Sequence, residues 1–253
     1  MKKILKRMIP KSISSSVRRL LLPLRSKVKN YSIYTNATTN LSGIEIGGPS
    51  GIFKLKLPVY KSCLNMSFAN FSNETIWEGK LQDSCNYYED KVGNQYIAEA
   101  SDLSRFSDQQ FDFLLSSNCL EHVANPIKAL SEWKRVTSGK IVLIVPRKDF
   151  NFDHKRPITS FDHLLEDFNN DVNESDLTHL DEILSLHDLE LDAPSGSFEQ
   201  FHQRSLENYN NRCLHHHVFD NVLVGQICDY LDMSIAEQTV NKRDWIFLID
   251  TNH

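Results

Sequence analysis

The sequence predicts an α/β fold built on a doubly wound, mostly parallel sheet. Two stretches carry that expectation. Phe111–Pro146 reads as strand, helix and strand within about 35 residues, the length of a βαβ unit. Its first strand is the run Phe111-Asp112-Phe113-Leu114-Leu115-Ser116-Ser117. Asn125-Pro126 then starts a helix, with proline at the first position, where its missing N–H costs nothing. Ile127, Leu130, Trp133 and Val136 recur at helical spacing, and Gly139 is expected to end the helix. Ile141-Val142-Leu143-Ile144-Val145 is wholly apolar, the mark of a strand covered on both faces. In the second stretch, Leu41–Ile52, a short strand over Gly43–Ile46 ends in an acid, Glu45, and a loop with Gly47, Gly48 and Gly51. Glycines after such a strand let a nucleotide-like ligand approach the backbone.

Composition bounds the rest. The chain has 253 residues, 40% hydrophobic and 24% charged, enough for one sizeable domain with an appended segment. No run of about 18 apolar residues offers a membrane span. The five cysteines are scattered without a CxxC pair, which suggests reduced thiols in a cytoplasmic protein. Charge is split along the chain. Residues 1–44 carry ten Lys or Arg and no acid, so +10 there and −15 on the remainder make up the net −5.

Taken in order, residues 1–29 alternate bases with apolar residues and read as one or two short amphipathic helices broken by Pro10 and Pro23. Such an arm suits peripheral contact with an anionic membrane; an organelle transit peptide and a solvated arm share its composition. Tyr31–Asn40 reads as a linker, so that 1–40 is an arm and 41–253 the main domain. The second strand is expected near Tyr60–Met66, with Asn65 and Ser67 where a ribose-binding acid would stand. Phe71–Lys91 is aromatic and irregular, a lid or a packed helix. Gln95–Ala98 reads as the third strand, followed by Asp102, which suits either an adenine contact or a helix or turn cap.

Beyond Pro146 a helical insertion is expected over about 147–214. Its helices fall near Thr159–Asp167, Glu174–His187 and Glu199–Asn208. A further helix is expected from His215-His216-His217 to Leu231, then two closing strands, Met233–Thr239 and Trp245–Ile249, as an edge hairpin.

Glu45-x-Gly47-x-x-x-Gly51 resembles motif I of the class I S-adenosylmethionine-dependent methyltransferases. Phe111–Val123, through Ala129-Leu130 and Arg135-Val136, resembles the fourth-strand block of the type 11 group. The resemblance covers about residues 41–146. It implies a seven-stranded Rossmann-like methyltransferase sheet with one antiparallel strand near its edge, and S-adenosyl-L-methionine as cofactor. It also implies cofactor-binding roles for Glu45, Gly47, Gly48, Gly51, Asp102, Ser117 and Asn118, with Asn65 at the second strand. Pro49 stands where many members have glycine, and removes one N–H donor.

Methyl transfer to a hydroxyl is helped by a general base, and histidine titrates in the right range. His122, beside the fourth strand, and His154, in the loop after the fifth, are the candidates; a packing role for His122 and a solvent-facing one for His154 are the alternatives. The histidine triplet, placed on a helix, would send its side chains in different directions, so no metal is assigned. A nicotinamide-dependent oxidoreductase would want Gly-x-Gly-x-x-Gly and a ribose acid, and neither is present. A non-catalytic cofactor-binding or partner protein on the same fold is the other alternative. No nucleic-acid-binding module is found. The expected acceptor is a small molecule, glycan or glycolipid, O-methylated in surface-glycan or related biosynthesis at the cytoplasmic membrane face.

Overall fold

The computed structural model describes residues 27–252. Most of the basic arm therefore lies outside the described residues. An eight-stranded sheet forms the centre. Its strands are β1 (Ser42–Ile46), β2 (Asn65–Asn70), β5 (Ser84–Tyr88), β6 (Lys91–Ile97), β7 (Phe111–Ser117), β8 (Thr137–Pro146), β9 (Ser234–Val240) and β10 (Asp244–Asp250). A separate small hairpin pairs β3 (Glu74–Thr75) with β4 (Gly79–Lys80).

The sheet order is β5-β6-β2-β1-β7-β8-β10-β9. β6, β2, β1, β7 and β8 run parallel. β10 lies antiparallel between β8 and β9, so the closing pair forms the expected edge hairpin. The additional eighth strand is β5, antiparallel on the far edge against β6. It comes from the stretch expected to be a lid: Tyr87 points inward beside Tyr60 and Phe68, and this aromatic contact fastens the strand to the sheet.

The apolar runs are explained by burial on both faces. In β8, Ile141, Leu143 and Val145 enter one core with Trp133 and Leu130, while Val142 and Ile144 enter the other with Phe53 and Tyr60. Alternate side chains of a strand point to opposite faces, so a continuous apolar run signals cover on both. The helix between β7 and β8 covers Pro126–Val136, and the Asn125 side chain accepts the Lys128 N–H as its N-cap. Gly139 does not end this helix. It lies inside β8, where a Cβ would stand 2.7 Å from the Asp112 carbonyl oxygen, so the glycine serves close strand approach.

Residues 31–40 are more than a linker. Tyr31–Asn36 is a helix, and buried Tyr34 donates its hydroxyl to the Ile246 carbonyl at 3.1 Å. The insertion holds helices Phe161–Asn169, Leu180–Leu186, Phe198–Leu206 and Asn208–Asn211. The expected helix from His215 begins later, at Asn221, because Asp220 caps it by accepting the Leu223 N–H. His215–Phe219 lies in a stretch with no helix or strand. No helix among the described residues is long and apolar enough to cross a membrane.

Candidate active site

The chain passes from β1 outward to β2 and β6, then returns to place β7 on the other side of β1. Such a reversal opens a crevice at the carboxyl ends of the strands, where open α/β sheets bind ligands. A cavity of about 580 Å³ lies there. β1 contributes Ile46, Gly47 and the loop through Gly51; β2 contributes Ala69 and Asn70. Ala98, Glu99 and Ala100 follow β6, and Ser117, Asn118, Cys119 and His122 follow β7. Glu174 and Arg212 close it from the insertion, with Phe71 and Trp77 from the stretch after β2.

The glycine loop is held from beneath. Glu45 is fully buried and accepts the Ser50 N–H at 3.0 Å and the Tyr60 hydroxyl. Burial pushes its carboxyl up to about 7 and the Tyr60 hydroxyl well above its ordinary value. Gly47 has φ +80, a left-handed conformation that favours glycine, and a Cβ there would stand 3.0 Å from Cys119 Sγ. A Cβ on Gly48 would strike the Glu45 carboxyl carbon at 2.3 Å. Gly51 has nothing within 4 Å of a Cβ position, so it leaves space at the cavity. The Gly48–Pro49 peptide is cis.

Of the sequence candidates, the structure brings Gly47, Gly51, Ser117, Asn118 and His122 to the cavity. Glu45 acts through the loop and Gly48 packs on Glu45. Three placements need correction. Asn65 opens β2 rather than ending it and is exposed at the opposite end of the strand. Tyr60 belongs to a helical turn, Val59–Ser62, which moves the strand five residues along. Asp102 is exposed and accepts the Ser104 N–H at 3.0 Å, a turn role that also lowers its pKa; of the acids after β6, it is Glu99 that lines the cavity. His154 pairs through Nε2 with Asp188 at 2.8 Å, within the insertion and outside the cavity lining.

Asn70, missed in the sequence, ends β2. Its Nδ2 donates to the Gly48 carbonyl at 2.8 Å, and its Oδ1 accepts Trp77 Nε1–H at 3.3 Å. Arg212, also missed, pairs with Glu99 at 2.7 Å and lies over the Phe71 ring, 4.8 Å from its centroid.

His122 approaches the Leu214 carbonyl with Nδ1 at 3.0 Å. A carbonyl only accepts, so Nδ1 carries the proton and Nε2 is left basic. Burial, then His215, hold the imidazole well below its ordinary pKa, so it is neutral near pH 7. Burial lifts the Cys119 thiol to about 12, which keeps it protonated. Glu174, buried and accepting the Ala124 N–H, is raised to about 7.

Residues 68–144 match the family model described as a methyltransferase domain. This segment is similar to methyltransferase domains. The matched segment runs from β2 through β8 and includes the β7 end of the cavity, in agreement with the class I, type 11-like resemblance. No curated protein matches the sequence. Among solved structures, a SAM-dependent methyltransferase from Aquifex aeolicus has 11% identity and a TM-score of 0.47, with 88% of each chain covered. Magnesium protoporphyrin IX methyltransferase from Synechocystis, solved with bound SAH, has 10% identity and a TM-score of 0.40, with 88% of this chain and 82% of that one covered. A protein from Rhodobacter sphaeroides named for the Zn-dependent alcohol dehydrogenases has 9% identity and a TM-score of 0.51, covering 89% and 90%. Identities this low concern the fold alone. The likeness to methyltransferases therefore rests on the matched segment, residues 68–144.

Proposed function

We propose that the chain transfers a methyl group from S-adenosyl-L-methionine to a hydroxyl of a small-molecule or glycan acceptor. The observation that carries this reading is the cavity at the β1/β7 reversal, lined by the β1 glycine loop within a methyltransferase domain. Its volume lies in the usual range for small ligands, about 300–1,000 Å³. The residues fit the cofactor: Gly47 and Gly51 permit close backbone approach, Asn70 and Glu99 offer hydrogen-bonding groups, and Ser117 and Asn118 stand at the β7 end. When bound, the cofactor supplies an electrophilic methyl on a sulfonium sulfur.

The chain's own residues then orient the acceptor and exclude water. Phe71, Trp77, Glu174 and Arg212 make a wall of ring faces and charged groups, which supports a hydroxyl-rich acceptor. His122, neutral with Nε2 as its basic atom, takes the acceptor's hydroxyl proton. Holding the reacting groups in line supplies much of the rate. We place the acceptor in glycan or glycolipid assembly, with residues 1–29 resting on an anionic membrane. The test is calorimetry with S-adenosylmethionine, S-adenosylhomocysteine and NAD. Binding of the sulfur compounds and not NAD is expected, followed by methyl transfer across an acceptor panel. No heat with either sulfur compound at millimolar concentration sinks the reading.

A further inference from the structure

The insertion contains a second group of side chains that methyl transfer does not use. His163 and Asp167 lie four residues apart on Phe161–Asn169, and so share one helix face. His179 immediately precedes Leu180–Leu186, and His217 comes from the irregular segment before the next long helix. None of the four lines the cavity.

Their potential ligand atoms converge. His163 Nε2 stands 2.9 Å from His179 Nε2 and 3.3 Å from Asp167 Oδ2. His217 Nε2 stands 3.6 Å from the same carboxylate oxygen. One ligand atom from each residue lies within 4.8 Å of all the others. Zinc–nitrogen bonds of about 2.0–2.1 Å in a tetrahedron put neighbouring ligand atoms about 3.4 Å apart, and the three pairs above stand at 2.9, 3.3 and 3.6 Å.

Hydrogen bonding leaves the group unsatisfied. Asp167 is 6% exposed, yet its Oδ2, the atom that faces both His163 and His217, finds no hydrogen-bond partner among the described residues. Buried polar atoms in native proteins are ordinarily paired, and a bound ion is one explanation for those that are not. His217 Nε2 also faces the Ala124 carbonyl at 3.1 Å, a bond that metal ligation would replace.

We propose that His163, Asp167, His179 and His217 form a closed structural site for zinc. Three converging imidazoles and one carboxylate suit zinc better than magnesium or calcium, which take mainly oxygen ligands. Four protein ligands leave no open position for substrate, so the ion staples rather than catalyses. It joins the Phe161–Asn169 helix, the start of Leu180–Leu186 and the irregular segment that carries His217. That segment also carries Leu214, which orients His122, and lies beside Arg212 of the cavity wall. The proposal reverses the expectation of no metal. That expectation put the triplet on a helix. The chain is not helical there, and only His217 joins the site; His215 pairs with Asp153 at 2.5 Å, and His216 meets Asn208 Nδ2 at 3.0 Å. The inference is independent of the proposed methyl transfer.

The test uses the full chain, with metal content measured as purified and after chelation and reconstitution. About one zinc per chain is expected. Cobalt substitution should give the intense visible bands of a tetrahedral ion, and zinc should raise the thermal midpoint of the stripped protein. The H163Q/H179Q variant should bind zinc more than about 100-fold more weakly by chelator competition, while H154Q binds as the parent does. Asp167→Asn supplies the same comparison if the double variant does not fold. Equal zinc affinity in parent and ligand variants, or a weak six-coordinate cobalt spectrum in the parent, overturns the proposal.

Discussion

The side-chain amide of Asn70 donates to the carbonyl of Gly48 at 2.8 Å, which ties the end of β2 to the loop after β1. The same side chain accepts Trp77 Nε1–H, so one residue links the glycine loop to the aromatic wall. Losing a hydrogen bond of this kind costs about 1–1.5 kcal/mol. Asn70→Ala should therefore weaken S-adenosylhomocysteine binding about tenfold by calorimetry and leave the fold intact. Unchanged affinity would mean that the loop holds its shape without Asn70.

Glu45 predicts a pH dependence of stability. Its carboxyl has an ordinary value of 4.5 and is pushed up to about 7 by burial. Below the lower value both folded and unfolded chains hold the proton. Between the two, the unfolded chain ionises while the folded one stays protonated, so stability falls as pH rises and levels off above the folded value. Glu45 alone accounts for about 3 kcal/mol of this loss. Glu121 and Glu174, each raised to about 7, act in the same direction. Urea unfolding at about pH 5 and about pH 8 should show a smaller loss in Glu45→Gln than in the parent, since the amide does not titrate. Equal losses would remove Glu45 as a contributor.

How much of this was legible in the sequence follows from how each element is stabilised. β7 and β8 are covered on both faces and Pro126–Val136 buries one apolar face, so local apolar pattern alone announces all three. β2 was misplaced because Asn65-Met66-Ser67-Phe68-Ala69-Asn70 alternates polar with apolar, while the preceding Tyr60 is apolar for a different reason: it packs beneath the glycine loop. That shift hid Asn70. Arg212 was invisible because its importance comes from a pairing with Glu99, 113 positions away. Asp220 three residues before Leu223 was a readable cap that would have kept the histidine triplet off the helix.

Arg212 spans the cavity wall, paired with Glu99 and lying over both Phe71 and Tyr209. Its planar guanidinium does both jobs at once, which an ammonium cannot. Arg212→Ala should raise the acceptor KM about tenfold, and Arg212→Lys should recover little of it. Full recovery by lysine would reduce the role of Arg212 to charge alone.

The basic arm predicts salt-sensitive binding to anionic vesicles, because ten bases precede the first acid in the chain. Flotation with vesicles rich in phosphatidylserine should recover the full chain, with less recovered at high salt or after removal of residues 1–29. Equal recovery of both chains would assign membrane contact to the main domain.

His122 predicts the shape of the rate profile. Its imidazole is held well below 6.5 by burial and by His215, so it stays in its basic form throughout the neutral range. A base that is already deprotonated gives no loss of rate as pH falls through 6.5; the acid limb lies lower. His122→Ala should lower kcat by about 100-fold, the usual worth of a positioned base, and leave S-adenosylhomocysteine affinity unchanged. His122→Gln separates the two roles of the ring: its amide can still donate to the Leu214 carbonyl but cannot take a proton. If glutamine restores the rate, His122 only positions the 212–217 segment. If kcat falls equally in both variants, proton removal is its contribution, and the acceptor atom is one that must lose a proton as the methyl arrives.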